Sequence, residues 1–168
     1  MLIILRHAHD NSHSHHKHDN RITEEGIKQS RKRAKRLVKR YGPPKRIYFS
    51  PFRRTRETIH SMEPVLKFYE LELIQHNCLS RYFSKKEKKA PSIDASTAQW
   101  DVPIHESWED FNNRVDEFIV QMQTSNYINN EEVTWCIVHA LVYKRISEKF
   151  GVEIPAHIPF LDYFKLTK

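Results

Sequence analysis

Apolar and polar positions follow two different periods along this chain, and the switches between them set out a fold. Met1-Leu2-Ile3-Ile4-Leu5 is an unbroken apolar run that stops at Arg6-His7, and Val133-Thr134-Trp135-Cys136-Ile137-Val138 is another that stops at His139. Short continuous runs closed by polar punctuation predict strands covered on both faces, here over residues 2–6 and 133–138. After a polar loop over 7–22 the period changes. Ile27, Ala34, Leu37, Val38 and Tyr41 recur at helical spacing. Thr23 is the predicted N-cap, Glu24 and Glu25 suit the helix dipole, and Gly42-Pro43-Pro44 ends the element. A second strand over 46–50, a helix from Arg53 to Tyr69 with an irregularity at Pro64, and a short strand over 71–74 follow. Residues 77–104 keep neither period and read as a long surface excursion. Trp108, Phe111, Val115, Phe118, Ile119 and Met122 then mark an amphipathic helix from Glu106 to Gln123. A helix over 141–150 and a last strand over 160–166 complete the pattern.

Strands alternating with helices predict a three-layer α/β/α sandwich around a mostly parallel sheet. At 168 residues, the chain is expected to form a single domain spanning 1–168. Hydrophobic residues at 39% and charged residues at 29% place it among globular chains rather than disordered ones. No apolar stretch is long enough to span a bilayer, and no membrane partner is expected. The two cysteines, Cys78 and Cys136, make no disulfide framework, which points to a reducing, cytoplasmic setting.

A formal net charge of +7 points to anionic partners. The charge is concentrated. Lys28, Arg31, Lys32, Arg33, Lys35, Arg36, Lys39 and Arg40 crowd one helix, and Lys85, Lys86, Lys88 and Lys89 form a second cluster. The first cluster reads mainly as a solvated helix face, with nucleic acid as a secondary alternative because no aromatic stacking platform accompanies it. The second lies in the long excursion, where it could steer a polyanionic substrate.

Candidate chemistry gathers at strand ends. Open α/β sheets bind ligands beyond the carboxyl ends of their strands, and Arg6-His7 and His139 fall there. Ser50-Pro51-Phe52-Arg53-Arg54-Thr55 follows the second strand at a helix start, where backbone N–H groups favour anions. Arginine forks and imidazoles converging there suit a phosphate. The ordered set Arg6-His7-Ala8, Ser50 to Thr58, His105-Glu106-Ser107 and Val138-His139-Ala140 resembles the histidine phosphatase superfamily, which includes the cofactor-dependent phosphoglycerate mutases. The resemblance runs from Leu2 to about Ile146.

That resemblance implies a phosphoglycerate mutase-like fold and a phosphohistidine intermediate on His7. It implies Arg6, Arg54 and His139 as phosphate-binding groups, Arg54 being the fifth residue of the family's Ser-Pro-x-x-Arg-Ala pattern. Glu106, matching the family's Gly-Glu-Ser segment with His105 in place of glycine, is the implied general acid and base. Residue by residue, Ser107 and Asp110 also fit a capping box at a helix start. The implied activity is a phosphoric monoester hydrolase that needs no cofactor or metal. His9, His13, His15, His16 and His18 read as a solvated loop beside the pocket rather than a metal site. A mutase-like isomerase, a protein-phosphohistidine phosphatase and a weakly catalytic phosphate or nucleic-acid binder stand as alternatives. The mutases' Glu-Arg-x-Tyr-Gly segment is absent, with Leu79-Ser80-Arg81-Tyr82 in its neighbourhood, and this favours hydrolysis.

Overall fold

A computed structural model describes residues 1–11, 20–84, 105–125, 127–128 and 131–167. The histidines at 13, 15, 16 and 18 and the lysines at 85, 86, 88 and 89 lie outside the described residues. Five strands form one sheet: β1 (Leu2–Arg6), β2 (Pro44–Phe49), β3 (Glu72–Gln75), β4 (Val133–Val138) and β5 (Tyr163–Leu166), in the order β3-β2-β4-β1-β5. The β1, β2, β3 and β4 pairings are parallel, and β5 runs antiparallel against β1. The helices are α1 (Glu24–Tyr41), α2 (Arg53–Leu66), α3 (Trp108–Thr124) and α4 (Ala140–Lys149).

The apolar runs explain the layers. Ile3 and Leu5 of β1 and Trp135 and Ile137 of β4 pack with Ala34, Leu37, Ile59 and Met62 of α1 and α2. The intervening Leu2, Ile4, Cys136 and Val138 pack with Phe111, Phe118, Val142 and Ile146 of α3 and α4. Period-2 alternation sends neighbouring side chains to opposite faces, so a strand covered on both sides is apolar throughout. The mixed α/β sandwich expected from the periods is the observed architecture.

The element ends sharpen the sequence reading. α1 carries the Thr23 cap, whose side chain accepts from the Gly26 amide. A Cβ on Gly26 would come within 2.6 Å of the His9 carbonyl oxygen, so this helix start packs directly on the loop after His7. α2 ends at Leu66 rather than Tyr69, and Pro64 is held in its last turn. α3 starts at Trp108 rather than Glu106, because Ser107 and Asp110 form the capping box ahead of it. The predicted excursion begins with a 3-10 turn over Asn77–Leu79. The last strand is Tyr163–Leu166, shorter than predicted, since Leu161 has φ 58° and interrupts extension. Among the described residues no helix is long and apolar enough to cross a membrane.

Candidate active site

Parallel neighbours bring the strand ends together. β1 lies beside β4 and β4 beside β2, with Arg6 in register with Val138 and Phe49 with Ile137. The residues that follow therefore meet at one edge of the sheet. There, Arg6, His7, Asp10, Asn20, Arg54, Arg81, Tyr82, His139, Ala140 and Leu141 line a cavity of about 330 Å³. Four of the five predicted site residues are in this set. A larger groove of about 490 Å³ between α2 and β3 is mainly apolar and holds none of them.

His7 is fixed from both sides of its backbone. Its amide donates to the Val138 carbonyl at 3.0 Å, and its carbonyl accepts from the Leu161 amide at 3.3 Å. The next amide, Ala8, donates to the Thr58 hydroxyl at 3.0 Å, which ties the β1 end to α2. His7 Nδ1 lies 2.8 Å from the Ala8 carbonyl, and a carbonyl only accepts, so Nδ1 carries the proton. Nε2 is then the lone-pair nitrogen, with no hydrogen-bond partner among the described residues. Burial, and then the charge of Arg54, holds the His7 imidazole well below its ordinary pKa of 6.5. It is neutral at physiological pH, as a nitrogen nucleophile must be.

His139 takes the opposite tautomer. Arg54 Nε donates to its Nδ1 at 3.1 Å, so Nε2 carries the proton and donates to the Ser50 hydroxyl at 2.8 Å. Burial and Arg54 hold this imidazole well below 6.5 too. The two rings sit 5.3 Å apart. Arg54 also faces Asp10 at 3.7 Å. Arg6 donates to the Ile158 carbonyl and stacks over Phe160 at 4.1 Å. Among the described residues, three guanidiniums against one carboxylate make the lining of this cavity positive, with both imidazoles neutral.

The helix starts add to that field. Arg54 stands in the first turn of α2, and His139 is the N-cap of α4. Neither helix has an acidic residue in its first turn, whereas α1 and α3 have Glu24, Glu25, Glu109 and Asp110 there. A helix start without acidic residues to compensate its dipole suits an anion.

Glu106 is not brought to this cavity. It is buried, and its two carboxylate oxygens accept from Arg114 Nε at 3.0 Å and Nη2 at 2.5 Å. Arg114 Nη1 meanwhile donates to the carbonyls of Cys78 at 2.8 Å and Ser80 at 3.1 Å. The pair is a clamp on the turn that follows β3, and Arg81 and Tyr82 issue from that turn into the cavity. Glu106 is thus bonded to Arg114 and stands apart from the described lining of the cavity. His105 adopts φ 66°, a left-handed backbone that glycine takes without strain.

Among the polar and charged residues lining the cavity, Asp10, Asn20, Arg81 and Tyr82 were not singled out as site residues from the sequence. Asp10 is 3% exposed and is, among the described residues, the carboxylate lining the cavity. Its signal was its place three residues beyond His7. Arg81 follows β3 by a few residues, on the same sheet edge as Arg6 and Arg54. No group of three potential metal ligands comes together among the described residues.

Comparison with known proteins agrees with the architecture. The ecdysone phosphate phosphatase of Bombix mori, solved with tungstate, superposes with a TM-score of 0.70 over 96% of this chain and 86% of its own, at 12% identity. A phosphoglycerate mutase from Bacillus anthracis gives 0.68 over 98% and 87%, at 15% identity. A mycobacterial glucosyl-3-phosphoglycerate phosphatase with VO3 gives 0.67 over 96% and 88%, at 16% identity. No curated protein sequence matches. The profile of the histidine phosphatase superfamily (branch 1) matches residues 2–157, nearly the whole span that holds the sheet and the cavity, and the chain belongs to that family.

Proposed function

We propose that this protein is a phosphatase that transfers a phosphoryl group to His7 Nε2 and then to water. The observation that carries the reading is His7 itself: a neutral imidazole, its Nδ1 proton held by the Ala8 carbonyl, facing a cavity lined by Arg6, Arg54 and Arg81. The Nε2 lone pair attacks phosphorus, the bond from phosphorus to the leaving group breaks, and its electron pair departs on that group. Water then attacks the phosphohistidine, the P–N bond breaks, and its pair returns to Nε2. Arg6, Arg54 and the starts of α2 and α4 hold the equatorial oxygens, which is where phosphoryl transfer concentrates charge. His139 acts by presenting its neutral ring beside Arg54 and by its Nε2 proton, which a bound phosphate oxygen would draw from Ser50.

With Glu106 engaged by Arg114, we assign proton removal from the attacking water to Asp10. With Asp10 as the base and Glu106 held by Arg114, no acid is assigned, so leaving groups that depart without protonation are favoured. Phosphorylated small molecules with acidic leaving groups, and phosphoramidates, fit this requirement. Hydrolysis is favoured over isomerisation because the mutases' Glu-Arg-x-Tyr-Gly segment is absent. We place the reaction in the cytoplasm, in keeping with Cys78 and Cys136 both being unpaired thiols.

Brief reaction with a 32P-labelled aryl phosphate, quenched in base, should leave acid-labile label on the wild-type chain. His7→Asn should carry none and turn over at least about 10³-fold more slowly. An unlabelled wild type with full turnover, or an active His7→Asn, would overturn the mechanism.

A further inference from the structure

Between Lys28 and Arg40 the exposed positions of α1 hold Gln29 and seven cations, with no apolar residue and no carboxylate. Lys28, Lys32, Lys35 and Lys39 recur at i, i+4, i+7 and i+11, a straight stripe about 16 Å long. Arg31 and Arg36 flank it. Among the described residues none of these cations is in a salt bridge, although surface cations elsewhere are. Arg145 and Lys149 share Asp116 at 2.7 Å each, and Arg46 meets Glu132 at 2.7 Å and Glu72 at 3.0 Å. The carboxylates of α1 are confined to Glu24 and Glu25 in its first turn. Like charges three and four apart repel along a helix, so the stripe is retained against a local cost.

We propose that this face docks duplex nucleic acid through its phosphate backbones, without reading sequence. A protein partner would need apolar anchors at the centre of its contact, and the exposed face supplies none. A membrane-lying helix sinks an apolar face into lipid, but Ala34 and Leu37 are spent against the sheet. Single strands use open aromatic platforms. Here the nearest rings, Tyr41 and Tyr163, already have Arg40 and Arg33 over them at 5.2 and 5.0 Å. A duplex carries a charge every ~1.7 Å, and its major groove, about 12 Å wide, admits a helix. Charge alone then suffices for binding. None of these cations lines the cavity, so the inference does not depend on the phosphatase reading.

The test is fluorescence anisotropy of a labelled 20-base-pair duplex with the full chain across a salt series. The wild type should bind at low salt, with the logarithm of affinity falling as the logarithm of salt rises. Replacing Lys28, Lys32, Lys35 and Lys39 by Gln should flatten that slope by about 3.6, at ~0.9 per phosphate contact, and weaken binding at least about 10-fold at 0.1 M salt. Circular dichroism should show α1 retained, and aryl phosphate turnover should be unchanged. A charge-matched variant with Lys85, Lys86, Lys88 and Lys89 replaced by Gln should bind nearly as the wild type does. Equal losses in both variants would make net charge the cause and overturn the proposal. So would tighter binding to phosphatidylserine vesicles or poly-glutamate than to duplex, or no duplex binding at low salt.

Discussion

Arg54 and Arg114 are equally buried, at 8% exposed, and each has a buried carboxylate for a neighbour, yet they do opposite work. Arg114 gives two donors to Glu106 and a third nitrogen to backbone carbonyls, so its charge and its hydrogen bonds are used inside the protein. Arg54 meets Asp10 one-sidedly at 3.7 Å and spends its Nε on a neutral imidazole. Among the described residues Asp10 is the carboxylate that faces it, and the first turn of its helix supplies none. A closed pair of this kind positions a chain segment. An open one, lining a cavity, stands where an anion from outside can reach it. The contrast separates structural from chemical polarity where burial alone does not.

The largest effect expected from breaking this comparison is on the closed pair. Glu106→Ala leaves a guanidinium buried without its counter-charge, which costs about 3–5 kcal/mol of stability. Urea denaturation should show that loss, and Glu106→Leu with Arg114→Met should recover much of it. The folded fraction of Glu106→Ala should hydrolyse aryl and alkyl phosphates with losses of the same factor. A selective loss on alkyl phosphates would restore Glu106 as an acid and break the comparison.

Next comes the open pair. Arg54→Ala removes a donor aimed where charge builds up in the transition state, and such donors are worth about 10²–10³-fold in rate. Steady-state kcat/KM on an aryl phosphate should fall by that much, while Arg54→Lys, lacking the fork, restores only part. Retention of activity within about threefold would show that Arg54 is a second structural arginine.

How far these roles were legible differs element by element. The strands of the core and the start of α1 followed from period and capping, because burial on both faces forces the runs of β1 and β4. That Arg6, His7, Arg54 and His139 would meet was legible because parallel strands deliver their ends to one place. The place of Glu106 was not. A motif locates a carboxylate along the chain but does not show what it faces, and its partner lay two turns into α3. Asp10 and Arg81 stand in loops, which have no period, and only the folded edge of the sheet brings them beside His7.

Acid should sharpen the comparison further. In the folded chain, burial and then Arg54 hold the His7 and His139 imidazoles well below 6.5. Unfolding returns both to about 6.5, so between the folded and unfolded values the unfolded chain binds more protons. Stability therefore rises with pH across that window, is complete above it, and is lost as pH falls below about 6.5. Thermal denaturation between pH 5 and 8 should show this slope, reduced in His139→Asn. A flat profile would mean that the two imidazoles are not held neutral by the cavity.

The smallest expected effect lies beside the clamp. His105 holds φ 66°, a region that costs a side-chain-bearing residue about 1–2 kcal/mol relative to glycine. Glycine pays back about 0.5–1 kcal/mol through the entropy it loses on folding. His105→Gly should therefore stabilise the protein by about 0.5 kcal/mol, read as a small rise in denaturation midpoint. The His105 Nδ1 contact to the Ser84 carbonyl is long, at 3.4 Å, so little is forfeited with the ring. Turnover should stay as it is, because the strain belongs to the segment that seats Glu106 against Arg114, away from His7. A fall in stability would show that the imidazole itself holds that segment, and a change in kcat would place His105 in contact with the reaction.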